Sequence, residues 1–220
     1  IMLPLQHKGA LHGGRPFFPI DIRDALETIP PDRILITTPM HLKACIESSV
    51  KFPKISLVIS ATAPLSRKLA ENAEQLLNTQ VFEIYGCTEA GSLATRQTTK
   101  SNAWKLLDEI NLTGNNDQCY IEATYLPEPI KLPDIIKNCE NGLFELQGRS
   151  ADLINIGGKR ASLRELNYHL NEIKKVEDGA YFVPPQNDHD HKRLIAFVVA
   201  NELREEDILQ ALRQYLDPVF

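Results

Sequence analysis

Thr88 and Glu89 stand side by side in "VFEIYGCTEAG" (Val81–Gly91), after a run that alternates like a strand and breaks at Tyr85 and Gly86. Together they offer a hydroxyl donor and a hard anionic oxygen, a pairing that a plain strand-to-helix loop seldom requires. The same two residues also read as a helix start, Thr88 as N-cap and Glu89 in the first turn. That reading is compatible with chemistry, because a helix N-terminus itself suits phosphate. Two further polar, irregular stretches follow apolar runs in the same way, "TTPMH" (Thr37–His41) and "SATAPLS" (Ser60–Ser66).

The elements that carry these stretches alternate from Asp21 to Tyr85. "DIRDALETI" reads as a helix with Asp21 as its cap, "RILITT" as a β-branched strand, and "PMHLKACIES" as a helix with Pro39 in its first turn. "ISLVIS" is a near-continuous apolar strand, and "SRKLAENAEQLL" is an amphipathic helix with Leu69, Ala73, Leu76 and Leu77 on one side. Short apolar strands alternating with such helices predict parallel βαβ units. Ligands of open α/β sheets bind beyond the carboxyl ends of the strands, where all three polar stretches fall, so one site lined by all three is expected. Each stretch alone also reads as an ordinary turn.

From about Ser92 to Gly148 the pattern changes to strands such as "QCYIEATYL" and "NGLFELQGR", with the proline-broken "PEPIKLP" between them. After Gly148 comes an α+β unit of about 70 residues. It opens with "SLRELNYHLNEI", where Ser162 and Glu165 have capping-box spacing and Leu163, Leu166, Leu170 and Ile173 share a face. Strands "AYFVP" and "RLIAFVVA" and helix "EEDILQALRQYL" complete it. No internal repeat or low-complexity tract occurs.

Composition bounds the function. The 220 residues are 43% hydrophobic and 24% charged, as in ordinary globular chains. A formal net charge of −5 without a basic block argues against nucleic acid as a partner. No apolar run approaches the roughly 18 residues of a membrane span, and nothing resembles a signal peptide. The four cysteines, Cys45, Cys87, Cys119 and Cys139, are dispersed with no CxxC pair, which predicts reduced thiols and a cytoplasmic protein. His189 and His191 in "NDHDHK" alternate and would point to opposite sides of an extended chain, so a solvated loop is expected there rather than a metal site. Trp104 is expected in the core. Walker-type and Gly-x-Ser-x-Gly signatures are absent.

In order along the chain, "SATAPL", "YGCTEAG" and "ELQGRSADLINIGGKRAS" resemble motifs of the adenylate-forming superfamily: acyl- and aryl-CoA synthetases, peptide-synthetase adenylation domains and luciferases. The likeness runs from about Arg33 to Ala161, and the last 60 residues fit the family's small mobile domain by pattern only. It implies an α/β fold with the C-terminal part of a large AMP-binding domain over residues 1–149. An incomplete small α+β domain would follow over 150–220. It also implies activation of a small carboxylic acid with ATP, giving acyl-AMP, and transfer to a thiol of CoA or of the phosphopantetheine of a carrier protein. The segment "GKRASLRELN" looks most like ligases of lipid- or polyene-type pathways.

Roles carry over position by position. Thr88 matches the threonine that bonds a nucleotide phosphate, and Glu89 the glutamate that helps hold Mg2+. Ala61 lies in the small-residue loop on the adenine side, and Tyr85, ahead of Gly86, would offer adenine a flat face. Asp134, fourteen residues before Gly148, matches the aspartate that grips both ribose hydroxyls, although "LPD" stands where Thr-Gly-Asp is usual. It also reads as a turn aspartate after proline. Arg149 matches a ribose-contacting arginine and, by itself, reads as a surface charge. Gly158 and Lys159 fall in the glycine loop that lines the thiol's tunnel in relatives, or form a plain turn between strands.

The hinge departs from the family pattern. The pivot is usually Asp or Lys, whereas Ala151 occupies that place and Asp152 follows it, so the pivot is Ala151 or has slipped by one residue. Nothing here resembles the phosphate loop, and the catalytic Gly-Lys of relatives lies beyond "LDPVF". With Ile1 as the opening residue, this reads as a piece of a longer chain, inactive in adenylation by itself and prone to self-association. A peptide-synthetase adenylation domain and a non-catalytic scaffold keeping the fold are the rival readings.

Overall fold

The computed structural model describes residues 9–138, 142–149, 153–156, 159–184 and 194–213. The chain forms two compact units, one built on residues up to Gly86 with Ala94–Asn102, the other on Cys87–Leu93 and from Ala103 onward.

The first unit is the expected parallel α/β arrangement. Helix α1 (Pro19–Thr28), strand β1 (Ile34–Thr37), helix α2 (Pro39–Glu47), strand β2 (Leu57–Ser60), helix α3 (Arg67–Leu77) and strand β3 (Val81–Cys87) follow one another. β1, β2 and β3 pair in parallel, in that order, with Thr37 opposite Ser60 and Ser60 opposite Glu83. Parallel neighbours need a crossover, and the helices that supply it cover one sheet face. Ile22, Leu26, Leu42, Cys45, Val58, Ala70, Ala73, Leu77 and Val81 meet there as the core. On the other face of β1, Ile34 and Ile36 are exposed.

Local signals set the helix ends, with corrections. Thr38 caps α2 as its hydroxyl accepts from His41 N (3.3 Å), ahead of Pro39 at the first helical position. Ser66 caps α3 by accepting from Leu69 N (3.2 Å). Asp21, expected as the cap of α1, instead lies at the third helical position, where its carboxylate accepts from Phe18 N (3.3 Å). The buried side of α3 is Ala70, Ala73 and Leu77, while Leu76 is 40% exposed. The helix thus buries Ala73 and Leu77 as expected, adds Ala70 and turns Leu76 outward.

The second unit is mostly antiparallel. β5 (Trp104–Leu106), β10 (Leu143–Arg149) and β9 (Asp134–Asn138) pair side by side, with Trp104 opposite Phe144, both buried as expected of that tryptophan. β6 (Ile110–Asn115), β7 (Gln118–Ala123) and β8 (Ile130–Lys131) form a three-stranded sheet. β11 (Leu153–Ile156) pairs with β12 (Lys159–Ser162), which leads into helix α4 (Leu163–Glu172). β13 (Asp178–Phe182) and β14 (Ile195–Val199) form a ribbon, and helix α5 (Glu205–Leu212) follows. Asn167 and Asn171 of α4 tie it to β13, accepting from Tyr181 N (2.6 Å) and donating to Gly179 O (2.7 Å). The segment around His189 and His191 lies outside the described residues. Among the described residues no helix is long and apolar enough to cross a membrane. Cys45, Cys87 and Cys119 are free thiols.

Candidate functional site

In the first unit two of the three expected stretches meet. The ends of β1 and β2 border a cleft of about 320 Å3, apolar at Ile22, Leu35 and Ile36 and polar at Thr38, His41 and Thr62. Ala61 lines it too, and its N–H donates to Thr37 O (3.1 Å), extending the β1–β2 ladder into the loop. The His41 ring stands edge-on to Phe17, with centroids 5.2 Å apart. Its Nε2 is shielded from solvent and makes no hydrogen bond with any described residue. Thr62 has φ 79°, a left-handed conformation that a β-branched residue rarely adopts. Tyr85 is buried on β3, two residues beyond Glu83, and Gly86 is exposed behind it.

The remainder of the third stretch belongs to the second unit. Residues 88–90 form a tight turn from β3 into strand β4 (Gly91–Arg96), with Gly91 at φ +74°. Thr88 is therefore no helix N-cap and Glu89 opens no helix. The chain reverses into a strand whose Leu93 and Ala94 are fully buried. Thr88 and Glu89 are both exposed, and the turn is fastened from behind by the Tyr125 hydroxyl, which donates to Ala90 O (3.0 Å). Burial pushes the Cys87 thiol above its ordinary range, the Glu89 carboxylate adding to the rise and N–H donors of the turn opposing it. Among the described residues no three His, Cys, Asp or Glu side chains cluster as a metal cage. The exposed Glu89 carboxylate is an oxygen donor of the type that Mg2+ takes alongside phosphate and water.

Asp134 and Arg149 are brought together. Asp134 opens β9, Arg149 closes β10, and the two are direct cross-strand partners. Asp134 is buried. The register slips between Leu146 and Gly148, a bulge of the kind found beside functional sites. Gly148 has φ +126°, and a Cβ there would stand 2.2 Å from Ser162 Oγ, so both backbone and space demand glycine. Ser162 does precede α4, but its hydroxyl makes no capping bond as the spacing predicted; buried, it faces Gly148 instead. Lys159 starts β12 opposite Ile156, while Gly158, Ala151 and Asp152 lie outside the described residues.

One residue was overlooked in the sequence. Glu83 is 3% exposed, facing inward between Val81 and Tyr85 on β3. Its carboxylate accepts from Leu65 N (3.0 Å), Arg96 Nε (2.7 Å) and the Thr98 hydroxyl (3.0 Å). The available signal was a charge on the inward period of an apolar strand, which demands a buried partner.

Comparison with known proteins bears on the family and the fold. No family model matches the chain. In sequence it is 26% identical over 187 residues to a 4-coumarate–CoA ligase of Halorhodospira halophila and 25% identical over 189 residues to one of Rhodobacter capsulatus. These alignments take in 85% and 86% of this chain but 46% of each relative, so the chain spans about half the length of the curated relatives it matches. In structure it resembles the amide bond synthetase McbA of Marinactinospora thermotolerans (TM-score 0.75, 16% identity, 92% of this chain and 49% of that one). It also resembles ATP-bound MatB of Rhodopseudomonas palustris (TM-score 0.74, 19% identity, 92% and 48%). A third neighbour is coronafacic acid ligase of Pectobacterium brasiliense (TM-score 0.71, 18% identity, 91% and 46%). The resemblance read from the motifs thus holds in sequence and in fold: along about half of their length, this chain is similar to the CoA-synthetase-like ligases of the adenylate-forming superfamily.

Proposed function

We propose that the chain is the C-terminal part of an acid–thiol ligase that activates a carboxylic acid with ATP. The acid's carboxylate attacks the α-phosphorus and pyrophosphate leaves; a thiol of CoA or a carrier protein, losing its proton, then attacks the carbonyl of the resulting acyl-AMP, and AMP leaves as the thioester forms. The observation that carries this reading is the cross-strand pairing of Asp134 with Arg149. Two residues assigned to one ribose from motif spacing alone, fifteen positions apart, turn out to be direct neighbours on adjacent strands. A carboxylate there accepts from both hydroxyls of a cis-diol. In the exposed turn, Thr88 donates to a phosphate oxygen and Glu89 holds Mg2+, which when bound offsets charge at the phosphate. Tyr85 and Gly86 flank the adenine, with Ala61 on the same side. Gly158 and Lys159 line the path of the thiol.

Two relatives named for 4-coumarate support an aryl acid as the substrate. The large domain ends at Arg149, and the small domain from residue 150 turns at Ala151 or Asp152 between the two half-reactions. The deciding experiment is ATP–pyrophosphate exchange by the complete protein with Mg2+ and a panel of aryl and alkyl acids. Acid-dependent exchange is expected; its absence across the panel would overturn the reading in favour of a scaffold that keeps the fold.

A further inference from the structure

We propose that Glu83 is a positioning residue whose buried carboxylate clamps the strained loop of residues 61–65 in the conformation that presents Ala61 to the cleft. The strain is local and visible: Thr62, β-branched, sits at φ 79°. Such a residue stays there only when its surroundings impose it. On the β2 side the loop is held by Ala61 N–H on Thr37 O (3.1 Å). On the α3 side the Ser66 hydroxyl is already engaged as a helix cap. Beyond the Leu65 side chain, which is buried in the core, the loop's other backbone hydrogen bond is Leu65 N–H on Glu83 Oε1 (3.0 Å). That oxygen cannot swing away, because Oε2 is fixed by Arg96 Nε (2.7 Å) and the Thr98 hydroxyl (3.0 Å), and Arg96 also donates to Asn102 O (3.1 Å). A carboxylate with both oxygens engaged in the interior is a rigid post. The clamp itself stands on these contacts; its effect on nucleotide rests on the adenylating reading above.

The test separates clamping from stability. Glu83→Gln with Arg96→Met removes the buried charges but keeps an amide oxygen for Leu65 N–H, whereas Glu83→Leu with Arg96→Met removes the acceptor too. The Ala61 amide, whose own bond to Thr37 O is untouched, reports on the loop by hydrogen exchange in this chain. We expect its exchange to quicken about tenfold in the Leu/Met pair relative to the Gln/Met pair. Adding Thr62→Gly, which removes the need for restraint, should restore slow exchange. In the complete protein, the KM for ATP should rise about tenfold in the Leu/Met pair with kcat for pyrophosphate exchange within about threefold. Equal Ala61 exchange in the two pairs would overturn the clamp. Absence of pyrophosphate exchange in every form would remove the adenylating reading instead, while the Ala61 readout still judges Glu83. Should the Leu/Met pair not fold, Glu83→Asp takes its place: it keeps a charge for Arg96 but is one methylene short of spanning to Leu65, and the same quickening is expected.

Discussion

The loop of residues 61–65 and the turn of residues 88–90 both follow apolar strands and both carry motif residues, yet they are held in opposite ways. The loop is pinned through its backbone, at Ala61 by Thr37 O and at Leu65 by the buried Glu83 carboxylate. The turn is shaped by Gly91 at φ +74° and one hydroxyl bond at Ala90, and its Thr88 and Glu89 side chains face solvent. A segment that forms a wall needs its main chain fixed from behind. A segment that reaches a ligand with its side chains needs those side chains exposed. Buried charge therefore marks the wall, and exposed charge marks the reach.

Removing the post behind the wall should have the largest effect on folding. Glu83→Ala removes the acceptor of the half-buried Arg96 guanidinium and of the buried Thr98 hydroxyl, and the loss should be about 3–5 kcal/mol in a urea titration of this chain. A loss under about 1 kcal/mol would show that water replaces the carboxylate and would blur the contrast. At the turn the balance should invert. Glu89→Gln is expected to leave the same titration unchanged within about 0.5 kcal/mol, since the side chain is exposed. In the complete protein it should cut ATP–pyrophosphate exchange by about 10²–10³. Exchange within twofold of the unsubstituted protein would take Glu89 out of the chemistry.

A third variant extends the contrast to Gly148. Gly148→Ala forces a Cβ to 2.2 Å from Ser162 Oγ at φ +126°, and a cost of about 1–3 kcal/mol is expected. Ser162→Gly in the same chain should recover only the steric part, leaving the backbone part. Full recovery would mean that the positive φ is unstrained. The smallest effect concerns Cys87, whose thiol burial holds above its ordinary range. A raised pKa leaves less thiolate at neutral pH, so alkylation by iodoacetamide should be slower than for a free thiol and should accelerate only at more alkaline pH. A pH–rate curve matching that of free cysteine would show that the turn is open to water on its inner side.

Much of the first unit was legible along the chain because its determinants are local. Strand runs at Ile34–Thr37 and Leu57–Ser60 declare themselves by β-branched apolar residues, and Thr38–Pro39 and Ser66 announce helix starts. The pairing of Asp134 with Arg149 was foreseeable only through motif likeness, since the bulge at Gly148 sets their register. Where the reading failed, a distant neighbour outweighed a local preference. Ser162 had the spacing of a cap, but its hydroxyl is buried against Gly148, which no helix signal encodes. Thr88 looked like a helix start, but burial of Leu93 and Ala94 draws the following residues into a strand.

By itself the sequence determined the kinds of element, their order, and the chemical types available at Thr88, Glu89, Asp134 and Arg149, because side-chain period, capping hydroxyls and motif order act over a few residues. Only the tertiary structure decided which groups meet: the Thr37–Ala61 edge of the cleft, the Asp134–Arg149 pair, and the Glu83 carboxylate with Leu65, Arg96 and Thr98. Partners 13 to 24 residues apart are selected by sheet register and by the need to satisfy every buried charge, and both are properties of the folded whole.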